Sequence, residues 1–135
     1  MTQRTIISIH VAATLVLACA FTLDAQTKSQ SWIRGTWEGT GYQIDDQSTW
    51  TMRFTAVGRR FSIEYPSLSC GGKWQLLYIN ASEARFKEKL GHGTDKCINS
   101  GNVTIRRLSH SQVLYLFANP GARTVSASSV LTRKR

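Results

Sequence analysis

The chain has 135 residues, 17 of them Lys or Arg against eight Asp or Glu, for a formal net charge of +9. That length allows one domain at most, and the chain has no internal repeat, linker or low-complexity segment. The charge balance points to acidic surroundings such as an anionic cell-surface polymer, lipid head groups or an acidic protein, or serves solubility alone.

Residues 1–25 read as a secretory signal. Arg4 supplies a positive start, Ile6 through Leu17 is mostly apolar apart from His10, and the small residues Ala18-Cys19-Ala20 follow. The stretch is too short and wrongly flanked for a stable membrane span. Cleavage fits after Ala20 or, better for the start of a folded part, after Ala25. Val16-Leu17-Ala18-Cys19 also resembles a bacterial lipoprotein box, in which Cys19 would become a lipidated, membrane-anchored N-terminus. Removing residues 1–25 takes away Arg4 and Asp24, so the net charge stays as it is. Cys70 and Cys97 remain in either case, and in an oxidising compartment a disulfide between them is the default. It would close a loop of 97 − 70 = 27 positions, which in the chain-entropy account contributes about 3.5 kcal/mol.

From Trp32 to Arg133 the pattern is period-2 alternation in short runs separated by Gly, Asp, Asn and Ser. The predicted strands are Ile33–Gln43, Thr49–Ala56, Arg60–Tyr65, Lys73–Ile79, Glu83–Leu90, Asn102–Arg107, Gln112–Phe117 and Arg123–Leu131. Trp50, Met52 and Phe54 share one parity, as do Phe61, Ile63 and Tyr65, and as do Ala84, Phe86, Glu88 and Leu90. Lys73–Ile79 is apolar on both parities, so its facing is ambiguous. Connections such as Asp45-Asp46-Gln47, Val57-Gly58-Arg59 and Asn119-Pro120-Gly121 carry turn chemistry. Eight short antiparallel strands predict an all-β domain over residues 32–133, an up-and-down barrel closed without exposed edges. A two-sheet β-sandwich uses the same periodicity and is the alternative. Gly35, Gly39 and Gly41, on one parity with Trp37, fit sharp bending at a barrel closure.

Gly35-Thr36-Trp37 resembles the Gly-x-Trp signature of the calycins, the lipocalin-like barrels. In that group an Arg on the last strand covers the Trp, and Arg133 is the matching residue. A longer set comprises Trp37 with Gly39-Thr40-Gly41-Tyr42, then Tyr65-Pro66-Ser67-Leu68-Ser69-Cys70-Gly71-Gly72 with Trp74. It continues through Phe86-Lys87-Glu88, Gly93 with Cys97, Gly101 with Val103, and Leu131-Thr132-Arg133. This set resembles small bacterial exported β-domains over nearly all of the chain after residue 25. The resemblance implies the barrel and the disulfide, and brings no defined activity with it.

Glu88 is the side chain of most chemical interest. Its parity with Phe86 and Leu90 turns it inward, while Arg85, Lys87 and Lys89 turn out. A buried carboxylate must be paired, hydrogen-bonded or protonated. Glu88 with Tyr65, Tyr115 and Gln43 would line the polar end of a ligand cavity. Alternatively it is structural, answering Arg107 or a backbone donor near the disulfide. Trp50, Phe61, Tyr65, Phe86 and Tyr115 would line a cavity with room left over. Arg85, Lys87 and Lys89, with Arg106 on the next strand, would form a basic stripe on the outer wall, joined by Arg59, Arg60 and the Arg133-Lys134-Arg135 end. That face lacks the aromatic interleaving of a nucleic-acid surface.

The catalytic inventory is poor: His92 and His110 lie in loops, no Ser sits in an elbow motif, and no two carboxylates stand out as a pair. His92, Asp95 and Cys97 do not make a recognised metal motif, and the disulfide competes for Cys97. The expectation is a secreted or periplasmic, non-enzymatic, monomeric binding protein without cofactor or metal, holding a small ligand in its barrel. The alternative is a basic inhibitor or adaptor that meets an acidic protein or an anionic envelope polymer through its outer face.

Overall fold

The computed structural model describes residues 30–135; the expected signal segment and Cys19 lie outside them. After a 3₁₀ turn at Ser31–Ile33 come eight strands: β1 Gly35–Gln43, β2 Thr49–Val57, β3 Arg60–Tyr65, β4 Cys70–Ile79, β5 Glu83–His92, β6 Asn102–Arg107, β7 Gln112–Ala118 and β8 Ala127–Arg133. Each strand pairs antiparallel with the next, and β8 returns to β1, closing the barrel in the order β1-β2-β3-β4-β5-β6-β7-β8. A sandwich is thereby excluded. The alternation in the sequence produces the wall directly. In β3, Phe61, Ile63 and Tyr65 are buried and the residues between them are exposed. In β2, Met52, Phe54 and Ala56 are likewise buried, with Arg53 exposed and Thr55 half-buried between them.

Several strand limits differ from expectation, β5 running on to His92, which was expected in a loop; the departures at β1, at β8 and within β4 have identifiable reasons. Ile33 lies in the 3₁₀ turn, so β1 begins at Gly35. Arg123 and Val125 are exposed loop residues, because Ser126 bonds back to the Phe117 carbonyl and pairing with β7 starts only at Phe117 and Ala127. The doubly apolar run in β4 contains a register shift between Leu76 and Tyr78. The extra residue, Leu77, faces solvent, Tyr78 pairs outward with Arg85, and Ile79 returns to the core side. A bulge of this kind resolves the ambiguous parity.

One end of the barrel is sealed. Trp37 is almost fully buried and donates its indole N–H to the Ile33 carbonyl at 2.8 Å. The Arg133 guanidinium lies 4.1 Å from the Trp37 ring centroid. Its Nη1 donates to the Arg34 carbonyl, its Nη2 to that of Trp32 at 2.8 Å, and its Nε to that of His110 at 3.0 Å. Trp32 donates to the Asn80 carbonyl at 2.7 Å, docking the 3₁₀ turn under the barrel. Above this seal the interior is filled by aromatic rings packed against one another, some stacked and some tilted. Phe54 and Trp74 lie 4.6 Å apart, Phe61 and Phe86 5.0 Å, and Trp74 and Phe86 5.4 Å. Gly39 allows β1 to run close to β8, since a Cβ there would stand 2.7 Å from the Val130 carbonyl oxygen.

Cys70, the first residue of β4, is bonded to Cys97 in the β5–β6 connection, with Cα atoms 6.4 Å apart. The bond ties together two loops at the end of the barrel opposite the Trp37 seal.

Trp37→Ala empties a sealed site and should cost about 3–5 kcal/mol in urea unfolding. Arg133→Ala should cost less, about 1–2 kcal/mol, through the lost cation–π contact and the three uncapped carbonyls. Reduction of Cys70–Cys97 should lower stability by about 2–4 kcal/mol with the far-UV circular dichroism kept.

Candidate functional site

The strands that run away from the seal end in four connections, residues 44–48, 66–69, 93–101 and 119–126, which form the mouth of the barrel. Inside it lies a cavity of about 390 Å³. Gln43, Tyr65, Glu88 and Tyr115, contributed by β1, β3, β5 and β7, all line it. Trp50 and Phe117 add aromatic wall, and Asp45, Asp46 and Lys96 stand at the rim. Phe61 and Phe86 do not line it. Their rings pack against each other in the lower core, so the cavity occupies only the upper half of the barrel.

Glu88 is 1% exposed. β5 places it between Lys87 and Lys89, on the same parity as buried Phe86 and Ala84, and directly across from Trp74 on β4. The Tyr65 hydroxyl donates to Oε2 of Glu88 at 2.6 Å, and the Trp74 indole N–H donates to the same oxygen at 2.8 Å. The Tyr65 and Tyr115 hydroxyls are 3.3 Å apart. With the Tyr65 proton on the carboxylate, Tyr115 donates to the Tyr65 oxygen. Both protein donors therefore fall on one carboxylate oxygen, and both are neutral.

Burial pushes the Glu88 carboxyl above its ordinary value, opposed by the hydrogen bonds from Tyr65 and Trp74. The same burial, with the neighbouring acidic groups, drives the Tyr65 and Tyr115 hydroxyls upward, so both remain protonated donors. The structural alternative for Glu88, a partnership with Arg107, is not what the fold supplies: Arg107 is exposed and lies at the closed-end terminus of β6. Glu88 has no cationic partner among the described residues.

Trp50, expected among the residues lining the cavity, does line it, with one feature the sequence does not show. Its indole N–H is buried without a hydrogen-bond partner among the described residues. The ring lies over Gly41, where an added Cβ would come within 2.4 Å of it, so the glycine is what lets the indole settle against β1. Parity alone shows Trp50 facing inward; an unpartnered N–H leaves no trace in a sequence.

The outer wall also sorts differently from the predicted stripe. Arg85 and Arg106 both reach Glu83, at 2.7 and 3.0 Å, and Lys87 reaches the Asn102 side chain at 3.3 Å. Only Lys89 joins a different set. With Arg59, Arg60 and Lys73 it borders a groove of about 590 Å³, where β3 and β4 pair only from Ser62–Lys73 to Tyr65–Cys70. Beyond that register the strands part, and Phe61 and Trp74 form the floor; no carboxylate lines the groove. His92 meets Glu64 at 3.3 Å and Cys97 is in the disulfide, which dissolves the His92–Asp95–Cys97 grouping.

Glu88→Gln keeps the acceptor for Tyr65 and Trp74 and removes a desolvated charge with no ionic partner. Its stability at neutral pH should stay within about 1 kcal/mol of the parent or rise. A raised folded pKa means that the folded state holds more protons than the unfolded one between the ordinary carboxylate value and the raised one. Stability from Glu88 is thus fully present below that window and falls as pH rises through it. The stability of the parent minus that of Glu88→Gln, from urea unfolding between acid and neutral pH, should decline across the window. A flat difference would mean that the Glu88 carboxyl titrates alike in the folded and unfolded states. Compared with protein-family models, curated proteins and solved structures, the chain finds no match.

Proposed function

We propose that this chain is an exported, non-enzymatic binding protein of lipocalin-like design that holds a small ligand in the open half of its barrel. The observation that carries this reading is Glu88. A carboxylate buried at the base of an open cavity, held by two neutral donors on one oxygen and by no cation, is costly to keep in a purely structural role. Two phenol hydroxyls, an unpartnered indole N–H and a glutamine amide converge on the same space. A concave, mostly apolar site with a few converging polar groups is what small-molecule binding requires, and the volume falls within the usual range. The sealed end and the disulfide hold this mouth on rigid elements.

Export is part of the proposal. The Cys70–Cys97 bond fits an oxidising compartment, and no helix among the described residues is long and apolar enough to cross a membrane. Residues 1–25 serve as the secretory signal, with lipidation at Cys19 as the alternative that would anchor the protein to a membrane.

A second reading has its own observation. The groove bordered by Arg59, Arg60, Lys73 and Lys89 suits an anionic envelope polymer lying along the outer wall.

Native mass spectrometry of protein purified from its own host tests the first reading. A monomer carrying an added mass below about 500 Da, lost in the Glu88→Gln protein, is expected for a cavity of this size; a bare parent protein under gentle conditions counts against it. The same spectrum shows whether the N-terminus is cleaved or lipidated. For the second reading, elution from a sulfated-polysaccharide column should move to markedly lower salt in Lys73→Glu/Lys89→Glu, and by far less in Arg85→Glu/Arg106→Glu. Equal shifts in the two variants would assign the retention to net charge.

A further inference from the structure

Resting on the cavity reading above, we infer that the ligand is a small organic cation: a protonated amine seated on Glu88, with an aromatic or alicyclic body against the cavity walls. The argument begins with how the chain distributes its carboxylates. Of the eight, Asp24 lies outside the described residues. Glu38 is bridged to Arg53 and Lys134, Glu83 to Arg85 and Arg106, and Glu64 meets His92. Three of the remaining four, Asp45, Asp46 and Glu88, line the one cavity, and none of these three has an ion-pair partner among the described residues. On a chain of net charge +9, the mouth of the barrel is thus an acidic spot in a basic surface.

The depth order matters. Asp45 and Asp46 are exposed at the rim, and the Ser48 hydroxyl and N–H hold the Asp46 carboxyl below the ordinary value, so it is ionised. Glu88 lies at the base, buried. An approaching cation meets exposed charge first and desolvated charge last, where attraction is strongest. Lys96 at the rim is the cation that opposes it among the lining residues, and it is exposed. At the base, the protein's donors occupy Oε2 of Glu88. Oε1 receives none of them and is left for an ammonium proton, which has three to give.

The walls fit the same class. Trp50, Tyr65, Tyr115 and Phe117 present ring faces and edges to the cavity, an environment that favours an organic cation over its solvated state. The Trp50 N–H can donate to an acceptor on the ligand body. A carboxylate or phosphate ligand would meet three like charges and one lysine; a neutral ligand would leave Glu88 uncompensated. The groups facing Glu88 are Trp74 from the adjacent strand, Tyr65 and Tyr115 from across the barrel, and Gln43, Asp45, Asp46 and Lys96 toward the mouth. None of them supplies a cation at the base.

Isothermal titration of the disulfide-intact protein at neutral pH can decide the matter, using 2-phenylethylamine and tryptamine beside the alcohol and carboxylate of matching skeleton. The amines should bind about tenfold or more tightly than the alcohols, and the carboxylates should not bind detectably. Glu88→Gln should weaken the amines about tenfold or more and leave the alcohols nearly unchanged. The amine heat should also depend on the buffer's ionisation enthalpy, because ion pairing displaces any proton that burial keeps on Glu88. Asp45→Asn/Asp46→Asn, at exposed positions, should weaken the amines about two- to threefold at low salt and less at high salt, which keeps the test open should Glu88→Gln fold poorly. Alcohols or carboxylates binding as tightly as the amines, or amines indifferent to Glu88→Gln, would overturn the cation assignment and leave the cavity reading standing. Silence from every probe also overturns it, and the cavity reading then rests on the native mass measurement alone.

Discussion

Closure of the sheet between β1 and β8 is the constraint on which the rest depends. Once Trp37 and Glu38 pair with Arg133 and Thr132 at one end, and Tyr42 and Gln43 with Ser128 and Ala127 at the other, every inward side chain of eight strands shares one interior. Such an interior is just wide enough to be filled by side chains or to leave room for one small ligand. Its filling is then a matter of side-chain size along the axis. At the Trp37 end the inward positions carry Trp37, Phe54, Phe61, Trp74 and Phe86. Toward the mouth they carry glycine and alanine, Gly41 and Ala127, beside Trp50, Tyr65 and Tyr115. The space left over collects where the small residues are, and the polar tips of the larger ones point into it.

That gradient explains why the fold was easier to read than the site. Alternation in Thr49–Val57 and Arg60–Tyr65 survives folding unchanged because each strand has one buried and one solvated face. The same rule correctly turned Glu88 inward and grouped it with Tyr65 and Tyr115, since parity is a local property. What parity cannot carry is height in the barrel. Phe61 and Tyr65 share a face of one strand, yet one packs in the lower core and the other lines the cavity. The β4 bulge at Leu77 was illegible for a related reason: an inserted residue reverses the parity after it and looks, in the sequence, like a strand apolar on both faces.

Charge was the least legible feature. Arg85, Lys87 and Lys89 alternate along β5 as a stripe would, but Glu83 takes Arg85 and reaches across to Arg106. The basic groove forms instead from residues distant in the chain, Arg59 and Arg60 with Lys73 and Lys89, because β3 is shorter than β4 and the two part below Ser62 and Lys73, toward the sealed end. A strand-length mismatch of this kind is invisible to any reading that takes strands singly.

The disulfide and Glu88 are linked through the mouth. Cys70 follows β3 by one short turn, so the bond to Cys97 fixes the connection that ends in Tyr65, the donor to Glu88, and Tyr65 and Cys70 are register partners. Cys97 and Ile98 on the other side line the cavity themselves. A loop of residues 93–101 left free would sample many conformations and would lose that freedom on binding, weakening any ligand by the entropy of ordering it. Tied to Cys70, it has already lost part of it. On the binding reading proposed above, the bond would contribute to affinity as well as to stability, by holding in place a mouth whose buried carboxylate already has its two donors.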